Sequence, residues 1–182
     1  MRITEISRLT VADVMHSSGK LRTEVSLREA VTKGCRQRCA YLVTKPAILA
    51  VEAYLHFRIE RGIGTVLGSG PCRGLLPHQP LIYSSRGAGM SQNIKRRVLE
   101  TGEAIDYRAC NSLQAHVTQL YKRAGIKGSS HSGRRTFAGK VLANTGDMET
   151  VAQLLGHSSI DCSQRYVDVN SGTLQAMFAD AV

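Results

Sequence analysis

The stretch "DMETVAQLLGHSSIDCSQRYVDV", residues 147–169, carries a helix start, a helix stop and three side chains capable of phosphate chemistry. Asp147 is a favoured N-cap type, and Met148, Val151, Ala152 and Leu155 fall on one face at helical spacing. Gly156 follows as the left-handed stop residue. A histidine just past such a stop, His157, can point away from the helix into a cleft. The plainer role is a capping histidine that favours the C-terminal end of the helix dipole. Nine residues further on stands Tyr166, beside Arg165. Taken alone, a tyrosine is most often a half-buried core residue whose hydroxyl finds some partner.

Just upstream, "HSGRRTFAGK" (131–140) sets His131 and Arg134 three apart, on one face of the helix expected over His131–Ala143. Ala138 lies near that face and is small enough for a backbone or ligand to approach. Arginine grips two phosphate oxygens at once, and histidine shares or donates a proton. Each piece in isolation also fits an ordinary surface pair. Jointly they suggest more. A tyrosine hydroxyl, with a pKa of about 10, is a poor nucleophile unless cations favour its phenolate. The same cations would stabilise charge on the non-bridging oxygens of a phosphodiester. A leaving alkoxide needs an acid, and Lys33 on a hairpin is placed to supply one.

The rest of the chain sets the frame. At 182 residues and 42% hydrophobic, it is long enough to bury one core, and no apolar run reaches membrane-spanning length. The formal charge of +10 points to a polyanion, with nucleic acid first. Eleven Lys/Arg between residues 85 and 140 face only Glu100, Glu103 and Asp106. Lys95, Arg96, Arg97, Lys122, Arg123, Lys127 and Arg135 from this run are candidate DNA contacts, against the plain alternative of a solvated basic face. Five cysteines without a CxxC pair fit reduced thiols in a cytoplasmic protein.

"RITEISRL" (2–9) reads as a helix that begins without a cap, as if the chain were cut into an existing element. "EVSLREA" and "RCAYLV" read as a hairpin with Lys33 near its turn. Thr44 caps a helix with Pro46 in its first turn. Residues 62–80, rich in Gly and Pro, read as a loop. "LIYS" (81–84) reads as a further strand or a brief extended stretch. After it the pattern predicts helices to the end, at Ser91–Thr101, Ser112–Ala124, His131–Ala143 and Asp147–Leu155, then a short one carrying Tyr166 and an amphipathic close over 171–182. The expected class is α+β, mainly helical, with a small antiparallel β-sheet near the N-terminus.

These residues resemble the tyrosine recombinases, the phage-integrase family. The resemblance rests on "MRITEI" (1–6), "TKGCRQR" (32–38), "HSGRRT" (131–136) and "LLGHSSIDCSQRYV" (154–167), in that order. It implies that Arg2 and Arg134 clamp the scissile phosphate and that Lys33 is the hairpin general acid. His131 and His157 would orient, stabilise and shuttle protons, and Tyr166 would be the nucleophile. The implied reaction cleaves and rejoins DNA through a 3′-phosphotyrosyl link, with neither metal, cofactor nor ATP. Implied partners are double-stranded DNA, three further copies in a homotetramer exchanging C-terminal segments, and accessory DNA-bending proteins, at the nucleoid.

Two departures accompany the resemblance. Arg135 stands where relatives usually have histidine. The N-terminal DNA-clamping domain and the first catalytic-domain helices of relatives are expected to be missing, so that residues 1–182 would be a catalytic domain incomplete at its start. Alternative readings are a DNA-binding fragment impaired in catalysis, and a strand cleaver like a type IB topoisomerase. Residues 171–182 could pack on a neighbouring subunit or fold back on their own core.

Overall fold

The computed structural model describes residues 1–27, 38–66, 68, 70–84, 86–98 and 101–157. The chain divides into two compact units, Met1–Ser129 and Ser130–Val182.

In the first unit, two single-turn helices, α1 (Ile3–Ile6) and α2 (Val11–Val14), precede a two-stranded antiparallel sheet. The sheet pairs β1 (Glu24–Leu27) with β2 (Arg38–Tyr41), Val25 opposite Ala40 and Leu27 opposite Arg38. Alternation decides which side is buried. Val25 and Leu27 enter the core, while the alternating Glu24 and Ser26 do not. Helix α3 (Lys45–Glu60) starts after Thr44 with Pro46 in its first turn, as the sequence predicts. Leu9, Val11, Val14, Met15, Leu55, Leu75 and Leu81 complete a core around the sheet.

The loop expected at 62–80 is firmly held. Its far end runs beside the start of α2: Gln79 accepts from the Val11 amide at 3.1 Å, and Leu81 donates to Leu9 at 2.7 Å. Its near end is pinned by Arg58 of α3, which is fully buried. The Arg58 guanidinium donates to the carbonyls of Ile63, Pro80 and Leu81 at 2.9–3.2 Å and lies 4.7 Å from the centre of the Tyr83 ring. Burial pulls its pKa down from the usual arginine value. So strong a base keeps its charge, and the carbonyl dipoles replace lost water.

Between residues 91 and 110 the structure corrects the sequence reading. No helix spans Ser91–Thr101; β3 (Asn93–Val98) pairs antiparallel with β4 (Ala104–Ala109) in a second two-stranded sheet. The error has a physical source. Ile94 and Val98 are four apart and suit a helix face, but Ile94, Arg96 and Val98 suit a strand equally. Two features outside the window decide it. Gly102 takes φ 83°, which suits a turn, and Asp106 lies directly across from Arg96. α4 (Asn111–Arg123) follows within a residue of its expected bounds, Ser112–Ala124.

The second unit holds α5 (Ser132–Thr145) and α6 (Met148–Leu155), which pack through Ala138, Val151 and Leu155. The start and stop signals act as read. The Asp147 carboxylate accepts from the amides of Glu149 and Thr150 at 2.8 and 2.9 Å, and Gly156 is left-handed at φ 64°, ψ 49°. The hydroxyl and amide of Thr150, then the amide of Glu149, hold the Asp147 carboxyl below the ordinary aspartate range. A depressed carboxyl adds stability above its unfolded pKa and loses it as pH falls through the folded one. The unfolding midpoint of Asp147→Ala is therefore expected to lie below the parent's at neutral pH, with the gap closing under acid. A gap that stays constant from neutral pH to about pH 2 would contradict this. No helix among the described residues is long and apolar enough to cross a membrane.

Candidate active site

Helix α5 delivers its two candidate residues differently. His131 is the N-cap, exposed to solvent, with Nδ1 3.3 Å from the Ser130 hydroxyl. Arg134, one turn inside, is only 7% exposed. Ala138, a further turn on, is fully buried, so α6 can approach this face closely.

The end of α6 then meets Arg134. Gly156 in the left-handed region lets the His157 amide bond back to Ala152 at 2.9 Å, a Schellman-type close. The chain turns, and His157 Nε2 comes to 3.0 Å from Arg134 Nη2. The same Nη2 donates to the Leu155 carbonyl, one of the acceptors that a helix end leaves without an intrahelical partner. A guanidinium only donates, so His157 accepts at Nε2 and carries its ring proton on Nδ1. Arg134 thus joins the α6 terminus to the histidine beyond it. A cation and an imidazole held this way suit the non-bridging oxygens of a phosphodiester.

Arg2 belongs to the first unit and caps α1. Its Nη1 donates to Glu5 Oε1 at 3.0 Å, and its backbone amide donates to the other Glu5 oxygen. Glu5 is 1% exposed, so the ion pair is anchored from inside. Sequence reasoning missed Glu5. The available signal was an acid one turn after an arginine at a helix start, the same geometry as a capping box.

Lys33, Tyr166 and the segment 171–182 lie outside the described residues. Of the candidate DNA contacts, Lys95, Arg96 and Arg97 are all exposed on β3. Arg96 is bound by Asp106 through two bonds, at 2.8 and 3.2 Å. Lys122 and Arg123 sit in the last turn of α4, Lys127 follows it, and Arg135 is exposed on α5.

A helical unit with an arginine–histidine pair at its helix junction, and a small-sheet unit with a carboxylate-anchored arginine, are features of the kind used by DNA breaking-and-rejoining enzymes. The chain belongs to the phage integrase family, whose pattern it matches over residues 1–172. It is 26% identical to the tyrosine recombinase XerC of Pelobacter propionicus over 181 residues, covering 100% of this chain and 47% of that protein. It is 29% identical to the tyrosine recombinase XerD of Mycobacterium leprae over 149 residues, 82% of this chain and 40% of the relative. The chain therefore spans about half the length of the curated relatives it matches. Its fold resembles the crystal structure of XerA recombinase, with a TM-score of 0.65 at 22% identity, over 99% of this chain and 53% of that one.

Proposed function

We propose that this chain is the catalytic portion of a site-specific DNA recombinase or integrase. The observation that carries the reading is the contact between buried Arg134 and His157, two residues 23 positions apart that stand in separate motifs of the family pattern. In the proposed reaction the Tyr166 hydroxyl attacks the scissile phosphorus. A P–O bond forms as the P–O5′ bond breaks, leaving a 3′-phosphotyrosyl link and a free 5′-hydroxyl. His131 takes up the tyrosine proton, and Lys33 gives one to the leaving 5′-oxygen. Arg2, Arg134 and His157 stabilise the phosphorane-like charge. The 5′-hydroxyl of a partner strand then reverses the step, so the bond energy is conserved and no ATP is consumed.

The substrate is double-stranded DNA. Two sites would be gathered by four copies of the protein, with exchange of C-terminal segments and with accessory bending proteins, at the nucleoid. Incubation with a duplex nicked just beyond the cleaved phosphate tests the reaction. The short 5′-hydroxyl fragment diffuses away and traps a covalent adduct, visible on a denaturing gel and mapped by mass to Tyr166. Exchanged joints between two labelled duplexes would distinguish recombination from topoisomerase-like cleavage. Salt-sensitive DNA binding with no adduct would overturn the enzymatic reading.

Glu5 gives a further expected result. Glu5→Gln keeps the side-chain shape but removes the charge that holds Arg2. Adduct formation should slow by roughly tenfold while duplex affinity stays within about threefold. Equal losses in both measurements would assign Glu5 to folding alone.

A further inference from the structure

Resting on the reading above, we propose that the β3–β4 ribbon enters the major groove of the duplex, with the furrow between the ribbon and α4 seating one sugar–phosphate backbone. A two-stranded ribbon is marginal in water by itself, and every residue of β3 is exposed. Ile94 and Val98, at 71% and 63% exposure, give it no place in the core.

Two features nevertheless hold its shape. The Arg96–Asp106 pair locks the register at mid-ribbon, and the base is rooted in the first unit. At that base Ala109 and Cys110 are buried, and Gln92 donates to the Ser7 hydroxyl at 2.9 Å. Ser7 in turn donates to Thr4 of α1, the helix that Arg2 caps. An element that is ordered, anchored and excluded from the core is built to be covered by something else.

Charge says what covers it. Residues paired directly across an antiparallel ribbon share a face, so Lys95 with Tyr107 and Arg97 with Ile105 lie on one side. Ile94 with Arg108 and Val98 with Ala104 lie on the other, beside the Arg96–Asp106 pair. The first side looks onto α4 across an open furrow of about 530 Å³, lined by Lys95, Asn111, Gln114, Thr118, Gln119 and Lys122. Two cations and four neutral donors suit a phosphate backbone, and no carboxylate stands among the lining residues. A second copy of this chain would bring the same cations and be repelled.

The dimensions agree as well. Paired strands lie ~4.8 Å apart, and a major groove ~12 Å wide admits a two-stranded ribbon. In that placement the outer side presents Arg108 to base edges and Ile94 and Val98 to thymine methyl groups, while Lys95, Arg97 and Lys122 hold the flanking phosphates.

The test uses the full chain and a fluorescent mixed-sequence duplex. The variant Lys95→Ala/Arg97→Ala is compared with Lys20→Ala/Lys45→Ala, which removes the same charge from exposed positions elsewhere in the first unit. The ribbon variant should lower the slope of log affinity against log salt by about two and weaken binding roughly tenfold or more at low salt. The comparison variant should stay within about twofold of the parent. Hydrogen exchange supplies a readout independent of any variant: β3 and β4 amides should gain protection with duplex but not with heparin, a polyanion without grooves.

Equal behaviour of the two variants, or ribbon amides indifferent to duplex, would overturn the ribbon's role. If the parent chain still formed the phosphotyrosyl adduct, the recombinase reading would survive that outcome. Failure of the parent to bind duplex at all would overturn both.

Discussion

Arg134→Ala is expected to slow adduct formation on a nicked duplex by at least ~10²–10³-fold, the usual cost of one oxyanion-stabilising donor. The structure adds a second effect, because Arg134 also holds Leu155 and His157 in place. Its removal strands a buried helix-end carbonyl and frees the imidazole, at a cost of roughly 1–3 kcal/mol of stability. Arg134→Lys separates the two losses. An ammonium retains the charge but lacks the planar fork, so stability should recover in part while cleavage stays low. Single-turnover cleavage and urea unfolding, run on both variants, read the effects side by side. A cleavage rate within threefold of the parent for Arg134→Ala would remove Arg134 from the proposed site.

The second large effect concerns the nucleophile. Tyr166→Phe keeps the ring and deletes only the attacking oxygen, so adduct should fall by ~10⁴-fold or more. Duplex affinity should remain within about threefold, since the hydroxyl is not a major source of binding. That contrast identifies a chemical role, because a folding defect would depress both readings together. A phenylalanine variant that still becomes covalently attached would hand the role to another residue, and mass mapping of the adduct would name it.

The two units were not equally legible in the sequence. Helix α6 could be read almost to the residue because its signals are local: Asp147 bonds to amides two and three positions on, and Gly156 needs only its own freedom of φ. The motif named Arg134 and His157 separately, but neither their contact nor the bond from Arg134 to Leu155 followed from it, since nothing in a sequence says which way a guanidinium turns. The β3–β4 ribbon escaped because its evidence is split across the chain, with Asp106 ten residues from Arg96. Arg58 and Glu5 escaped for the opposite reason. Charged residues are read as solvated unless a partner is visible, and the partners of Arg58 are carbonyls as far away as Leu81.

That buried arginine has a practical consequence for engineering. By gripping Ile63 at one end and Pro80 and Leu81 at the other, Arg58 fixes both ends of the intervening segment on the body of the first unit. Within it, five residues beyond Ile63, Gly68 adopts φ 88° with open space where a side chain would project. A peptide tag or dye-bearing loop grafted at Gly68 would thus leave both clamped ends, and the sheet and helix they adjoin, in their native register. Such a handle would allow the protein to be followed optically on single DNA molecules without touching any residue given a chemical role.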